Sequence, residues 1–216
     1  MSWNIEDKQG FADCAKNHIG QINLGSKLGD LIYNLVSKEQ FKIIYDIGCW
    51  NGEGSTKCIA KAIENLPSCQ LYGFEVNRDK YTYTKNLYQD QDNVQIIHGS
   101  TRLNKVTFED IIRVFPNIQT SEQEKYWCTI DLQNSADSQD FKPHEVVDLI
   151  VHDGGEWDSW FIYQDLRSIK VNHWILDDTN SDKNKFVFLE LKNNPLYELV
   201  AHEPNDRNGW AYFKLQ

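Results

Sequence analysis

Tyr45-Asp-Ile-Gly-Cys-Trp-Asn-Gly-Glu-Gly-Ser-Thr56 is the stretch on which the reading of this chain turns. It leaves a short apolar run, Phe41 to Ile47, and ends where helical spacing begins at Ser55. A buried strand that turns through glycines into a helix is the opening of a parallel α/β unit. Gly48, Gly52 and Gly54 let the backbone turn tightly and approach a ligand closely. Ser55 or Thr56 is placed to cap the helix, whose first turn presents free N–H groups and partial positive charge. That geometry suits the carboxylate of an amino-acid-like ligand. A dinucleotide fingerprint asks for G-x-G-x-x-G, whereas the spacing here is G-x-x-x-G-x-G. A phosphate-binding P-loop asks for Lys directly before Ser/Thr, and Lys57 follows them instead.

Outward from this loop the chain alternates. Leu28, Leu31, Ile32 and Leu35 recur at helical spacing and predict a lead-in helix within residues 1–40. After the loop, Cys58, Ile59, Ala62, Ile63 and Leu66 predict a helix stopped by Pro67. Gln70 to Glu75 and Val94 to His98 read as strands around a helix from Asp79 to Tyr88; Phe108 to Phe115 reads as a helix closed by Pro116. Val146 to His152 and His173 to Leu176 read as strands, with helices at Trp157 to Ile169 and Lys185 to Lys192. Tyr197 to His202 and Trp210 to Leu215 have no helix between them, which predicts an antiparallel hairpin at one edge. The expectation is an α/β protein of one domain, residues 1–216, with a doubly wound and mostly parallel sheet. A polar insert, 117–145, breaks the rhythm and is read as a lid or a disordered segment, with Tyr126 and Trp127 favouring partial order.

Composition narrows the function classes. The net charge of −10 is spread along the chain, and Lys183, Asn184 and Lys185 are the nearest thing to a basic patch. Such a surface repels phosphate backbones, so nucleic acid is not an expected partner. Five scattered cysteines, Cys14, Cys49, Cys58, Cys69 and Cys128, suggest reduced thiols in a cytoplasmic setting. The polar Met1 to Gly10 does not read as a signal peptide, and no apolar run spans a membrane. A homo-oligomer is compatible with the sequence, and the expected partner is a small molecule or glycan.

Two acidic features complete the reading. Leu71 to Glu75 ends a strand in a carboxylate, placed where it can accept both ribose hydroxyls of a nucleoside cofactor; Ser100 and Thr101 follow the next strand. Asp153 lies just past one strand, and Asp177 and Asp178 end the next. Carboxylates converging at that edge call for a hard cation, Mg²⁺ being the natural one. The ordinary alternative is that Asp153 and Asp178 cap helices and Asp177 is solvated.

Asp46-x-Gly48-x-x-x-Gly52 resembles the first motif of class I S-adenosylmethionine-dependent methyltransferases, whose fold is Rossmann-like. Asp153-Gly-Gly-Glu-Trp157, Leu176-Asp-Asp178 and Arg207-Asn-Gly-Trp210 are further similar to the macrocin-type, metal-dependent sugar O-methyltransferases. The resemblance implies cofactor contacts from Asp46, Gly48, Trp50, Gly52, Ser55, Thr56, Glu75, Ser100 and Asp153. It implies Mg²⁺ on Asp153, Asp177 and Asp178, with catalysis by Asp153 and a base near it. Glu156 is the candidate base, one residue later than the family's acid, which falls on Gly155; Asp158 or His152 are substitutes. His152, beside Asp153 in a strand, reads as a packed core residue. Trp157, with Trp127, Trp160 and Tyr163, is read as an apolar wall for a sugar, and Arg207 and Asn208 as contacts to acceptor hydroxyls. The implied activity is methylation of a sugar hydroxyl; a catechol-type or other small-molecule O-methyltransferase is the alternative. A nicotinamide-dependent dehydrogenase and a noncatalytic scaffold are the readings from other classes.

Overall fold

The computed structural model describes residues 22–102, 105–136 and 141–216. Met1 to Gly10, Cys14, the first half of the lead-in and positions 137–140 of the insert lie outside the described residues. Helix α1 (Lys27–Lys38) starts where the Ser26 side chain accepts from the Gly29 N–H, and it buries Leu28, Ile32 and Val36 along one stripe.

Seven strands follow: β1 (Ile43–Ile47), β2 (Gln70–Glu75), β3 (Val94–His98), β4 (Val146–His152), β5 (Lys170–Asp177), β6 (Tyr197–Glu203) and β7 (Trp210–Leu215). They form one sheet in the order β3-β2-β1-β4-β5-β7-β6. The first five are parallel; β7 runs antiparallel to both β5 and β6, as the missing helix between them requires. The Rossmann-like, doubly wound α/β expectation holds.

Alternation along each strand supplies two cores. Ile44, Leu71, Leu149 and Val151 face α1 and α2 (Ser55–Ile63), meeting Ile32, Val36, Cys58, Ile59 and Ile63. Tyr45, Phe74, Ile150, Trp174 and Phe213 face the other way, against Ile162, Tyr163 and Leu166 of α6 (Ser159–Leu166) and Val187 and Leu191 of α7 (Lys185–Asn193). Helix α3 (Arg78–Leu87) connects β2 to β3.

The insert is more ordered than its composition suggests. Helix α4 (Phe108–Val114) opens with a reciprocal capping box between Thr107 and Asp110. A 3-10 turn (Pro116–Thr120) and helix α5 (Glu122–Ala136) follow. Ile111, Phe115, Ile118 and Cys128 enclose Trp157 in a third, smaller core. The segment is therefore pinned to the loop after β4. At its far end the His144 N–H donates to the Tyr45 hydroxyl at 2.9 Å. Cys49, Cys58, Cys69 and Cys128 are all buried free thiols. Among the described residues, no helix is long and apolar enough to cross a membrane.

Strand order reverses beside β1, with β2 and β3 to one side and β4 and β5 to the other. Ligand crevices in such sheets open at the carboxyl ends of the strands flanking that point. Asn184, fully buried, ties the edge together: its Nδ2 donates to the carbonyls of His152 and Asp177, both at 2.8 Å. Asn184→Ala leaves both buried carbonyls without that donor. The expected loss of unfolding free energy in urea is about 2–4 kcal/mol, and a loss under about 0.5 kcal/mol would contradict the tie.

Candidate active site

The loop after β1 is built on a buried carboxylate. Asp46 is fully buried and accepts from Ser55 Oγ at 2.8 Å and Thr56 Oγ1 at 2.5 Å. Burial pushes its pKa up to about 6, with the two hydroxyls opposing. Helix α2 is therefore capped by Gly54 with no side-chain hydrogen bond, not by Ser55 or Thr56 as the sequence suggested. The hydroxyls turn inward to Asp46, and the first turn is left without a side-chain cap, ready for an anionic group.

Gly48 (φ +90°) takes the chain past β4 so closely that a Cβ there would lie 2.0 Å from the Asp153 carbonyl oxygen. Gly52 (φ +74°) has a different reason: its Cβ would meet Thr84 at 2.8 Å and Tyr88 at 3.0 Å, on and just past α3. Trp50 (φ 50°) is held in the left-handed region from both sides. Its N–H donates to Glu75 Oε2 at 2.8 Å, and its carbonyl accepts from Thr84 Oγ1 at 2.8 Å. Glu75 Oε1 accepts from the Asn77 N–H at 2.9 Å. Burial raises the Glu75 pKa, opposed by Lys80 and these two amides. Each carboxylate oxygen accepts one of these bonds and has a lone pair left for a hydroxyl.

These elements surround a cavity of about 450 Å³, with Gly48, Trp50, Ser55, Glu75, Lys80 and Ser100 toward the β1–β2 side. Its other end is lined by Asp153, Asp177, Asp178, Lys183 and Asn208. Oxygens of the three aspartates lie within 4.8 Å of one another, so the structure assembles the predicted cluster.

It also supplies the cluster's counter-charge. Lys183 Nζ lies 2.8 Å from Asp153 Oδ1 and 2.7 Å from Asp178 Oδ2. Arg207 pairs with Asp177 Oδ2 and lies 3.8 Å from Asp178 Oδ1. Burial works against the Lys183 charge, but Asp153 and Asp178 outweigh it and raise its pKa above the ordinary lysine value. Asp177 is pushed up to about 7, first by burial and then by the other two aspartates, with Arg207 opposing. For Mg²⁺ the donor atoms fit: Asp177 Oδ1 and Asp178 Oδ1 are buried without a hydrogen bond. The charge does not fit. An ammonium already bridges two of the three carboxylates, so a divalent ion there must first displace it.

No family model and no curated protein matches the sequence. Solved structures do match the fold. A Podospora anserina methyltransferase bound to S-adenosylhomocysteine aligns over 100% of this chain and 90% of its own, with TM-score 0.60 and 12% identity. A Bacillus cereus O-methyltransferase, also with S-adenosylhomocysteine, aligns over 98% and 93%, with TM-score 0.58 and 12% identity. The O-methyltransferase TomG of Streptomyces achromogenes, solved with S-adenosylmethionine and involved in tomaymycin synthesis, aligns over 98% and 91% (TM-score 0.57, 13% identity).

The chain has the methyltransferase fold.

Within that fold the predicted residues divide. Gly48, Trp50, Ser55, Glu75, Ser100, Asp153, Asp177, Asp178 and Asn208 line the cavity. Asp46, Gly52 and Thr56 do not; they shape the loop from behind. Arg207 reaches the cluster through its aspartate pairs. Glu156, the candidate base, is half-buried and does not line the cavity. Trp157 is 7% exposed within the third core, which takes it away from the acceptor wall. Trp160 and Tyr163 pack in the cores, while the Trp127 side chain lies outside what the structure describes. His152 is fully buried, and burial lowers its pKa to about 3, so it is a neutral core residue as read. Asp158 is held by a buried ion pair with Arg102 at 2.9 Å.

Lys80 and Lys183 were missed as cavity residues. The signal for Lys183 is its position five residues after Asp178, on the turn leading into α7; in the sequence it groups with Asn184 and Lys185 as a surface patch.

The Asp46 assignment carries a pH test. Its folded pKa, about 6, stands above the ordinary 3.8, so the folded form holds the proton more tightly. Stability from this group is greatest at low pH and falls as pH rises through that window. Relative to Asp46→Asn, the wild type should lose up to about 3 kcal/mol of stability between about pH 4 and pH 6. A difference that stays constant across that range would contradict the assignment.

Proposed function

We propose that this chain is an S-adenosylmethionine-dependent O-methyltransferase that acts on a sugar hydroxyl of a glycan or glycoside. The observation that carries the reading is a single cavity, at the strand-order reversal, lined by the glycine loop, Glu75 and the three aspartates. The uncapped first turn of α2 suits the cofactor's carboxylate, and the spare lone pairs of Glu75 suit its ribose hydroxyls. When bound, the cofactor supplies a methyl group on a sulfonium.

Transfer is an in-line displacement in which the acceptor oxygen forms the new C–O bond while the C–S bond breaks. The electron pair goes to sulfur, giving the thioether product, and the hydroxyl proton must pass to a base. The chain's task is alignment and proton removal. Asp153, Asp177 and Asp178 line the cavity together with Asp158, which is paired to Arg102, whereas Glu156 does not, which makes the three aspartates stronger base candidates than Glu156. A cluster of oxygen acceptors beside the donors of Lys183 and Arg207 suits an acceptor with neighbouring hydroxyls.

The burial of Trp157 removes one argument for a sugar, so a catechol-type or other small-molecule acceptor is the second reading. TomG, a neighbour in fold, belongs to small-molecule synthesis. Mg²⁺ on the three aspartates belongs to either reading only if Lys183 leaves the cluster.

Calorimetric titration should show S-adenosylmethionine binding and no NAD binding. Glu75→Ala should weaken the former by roughly tenfold or more. No binding of S-adenosylmethionine to the wild type would overturn the function, and equal affinity in Glu75→Ala would remove Glu75 from the ribose site. Methyl transfer to a panel of glycosides and catechols then separates the two acceptor classes.

A further inference from the structure

We infer that Lys183 is the resident cation of the acceptor site and takes the place of the divalent metal; this rests on the methyltransferase reading for its catalytic meaning only. Three carboxylate oxygens within 4.8 Å of one another have room for one cation among them. The ammonium of Lys183 is already bonded to two of those residues, Asp153 at 2.8 Å and Asp178 at 2.7 Å. Arg207 pairs with the third, Asp177. Three carboxyl groups thus face two cationic side chains, and a divalent ion added to this set would be repelled at close range by both cations.

Neither cation is a loosely placed surface chain. The turn that carries Lys183 is fastened to Asp178, whose carbonyl accepts from both the N–H and the Oγ of Ser181, each at 3.2 Å. The Lys183 N–H in turn donates to Ser181 Oγ at 3.2 Å. The next residue, Asn184, is clamped to the ends of β4 and β5. Arg207 sits in the β6–β7 turn at φ 55°, and that turn is bonded to the segment after β5 through Thr179 N–H to the Gly209 carbonyl (3.0 Å) and Asn180 N–H to the Asn208 carbonyl (2.8 Å). The backbone therefore delivers both positive groups to the cluster before any ligand arrives.

An ammonium has three N–H donors. Among the described residues, two are engaged by Asp153 and Asp178, and Lys183 lines the cavity, so the third is left for an acceptor oxygen. In this role Lys183 orients the hydroxyl and keeps the aspartates charged and in register, the tasks a metal ion would otherwise perform.

The test uses wild type, Lys183→Met and Lys183→Arg, each stripped with chelator, checked for folding by circular dichroism, and titrated calorimetrically with MgCl₂. Wild type and Lys183→Arg should show no saturable Mg²⁺ site at millimolar concentration. Lys183→Met, which keeps the stem and loses the charge, should gain one with affinity roughly tenfold or more above wild type. A saturable submillimolar site in the wild type would overturn the inference, as would a folded Lys183→Met that gains nothing. If Lys183→Met does not fold, the wild-type and Lys183→Arg titrations decide alone. Titrating the same wild-type sample with S-adenosylmethionine keeps the two readings apart: failure there strikes the methyltransferase assignment and leaves the Mg²⁺ result standing.

Discussion

At Gly48 the loop after β1 passes the loop after β4 with no room for a side chain between them; a Cβ would stand 2.0 Å from the Asp153 carbonyl oxygen. The Asp153 N–H donates to the Ile47 carbonyl at 2.9 Å, and the Gly48 N–H turns the other way, to Phe74 at 3.0 Å. That close approach holds the glycine loop, the end of β2 and Asp153 around one crevice. A residue with a Cβ at position 48 would wedge the two loops apart. Glu75 would then lose its grip on Trp50, and the aspartate cluster would separate from the Glu75 half of the cavity.

Charge organises the rest of the crevice. At the β1–β2 end, Glu75 is a buried carboxylate served by two backbone amides, with Lys80 nearby. At the β4–β5 end, three aspartates meet a lysine and an arginine. Buried carboxylates are tolerable only when paired or hydrogen-bonded, and here both means are used. The left-handed non-glycine residues Trp50, Asp178 and Arg207 all fall in this region, where hydrogen bonds and ion pairs hold them against their backbone preference. Strain at these positions serves to place polar groups around the crevice.

Much of this was legible in sequence because it rests on local pattern. The period-2 and period-3.6 apolar spacing marked the strands and helices, and the missing helix between β6 and β7 marked the antiparallel edge. Strand-end carboxylates at 75, 153, 177 and 178 pointed to the crevice because a parallel sheet carries all such ends to one side. What failed depended on which way a side chain turns. Ser55 and Thr56 have the right chemistry for a cap, yet a buried Asp46 beneath them takes both hydroxyls. Trp157 follows an acid in a loop and looked available, but the insert folds back as α5 and encloses it. The insert's polar composition hid that packing, because a few residues such as Ile111, Ile118 and Cys128 suffice to make a small core. Lys183 and Arg207 were hardest to assign, since a lone cation in a turn has no periodic signature and gains its meaning only when the ends of β4 and β5 meet it.

The most direct measurement is a crystal structure grown with S-adenosylhomocysteine. The account predicts ribose hydroxyls on Glu75, the homocysteine carboxylate at the first turn of α2, and sulfur facing the aspartate cluster. Nucleoside density elsewhere on the protein, or a ribose without contact to Glu75, would contradict it.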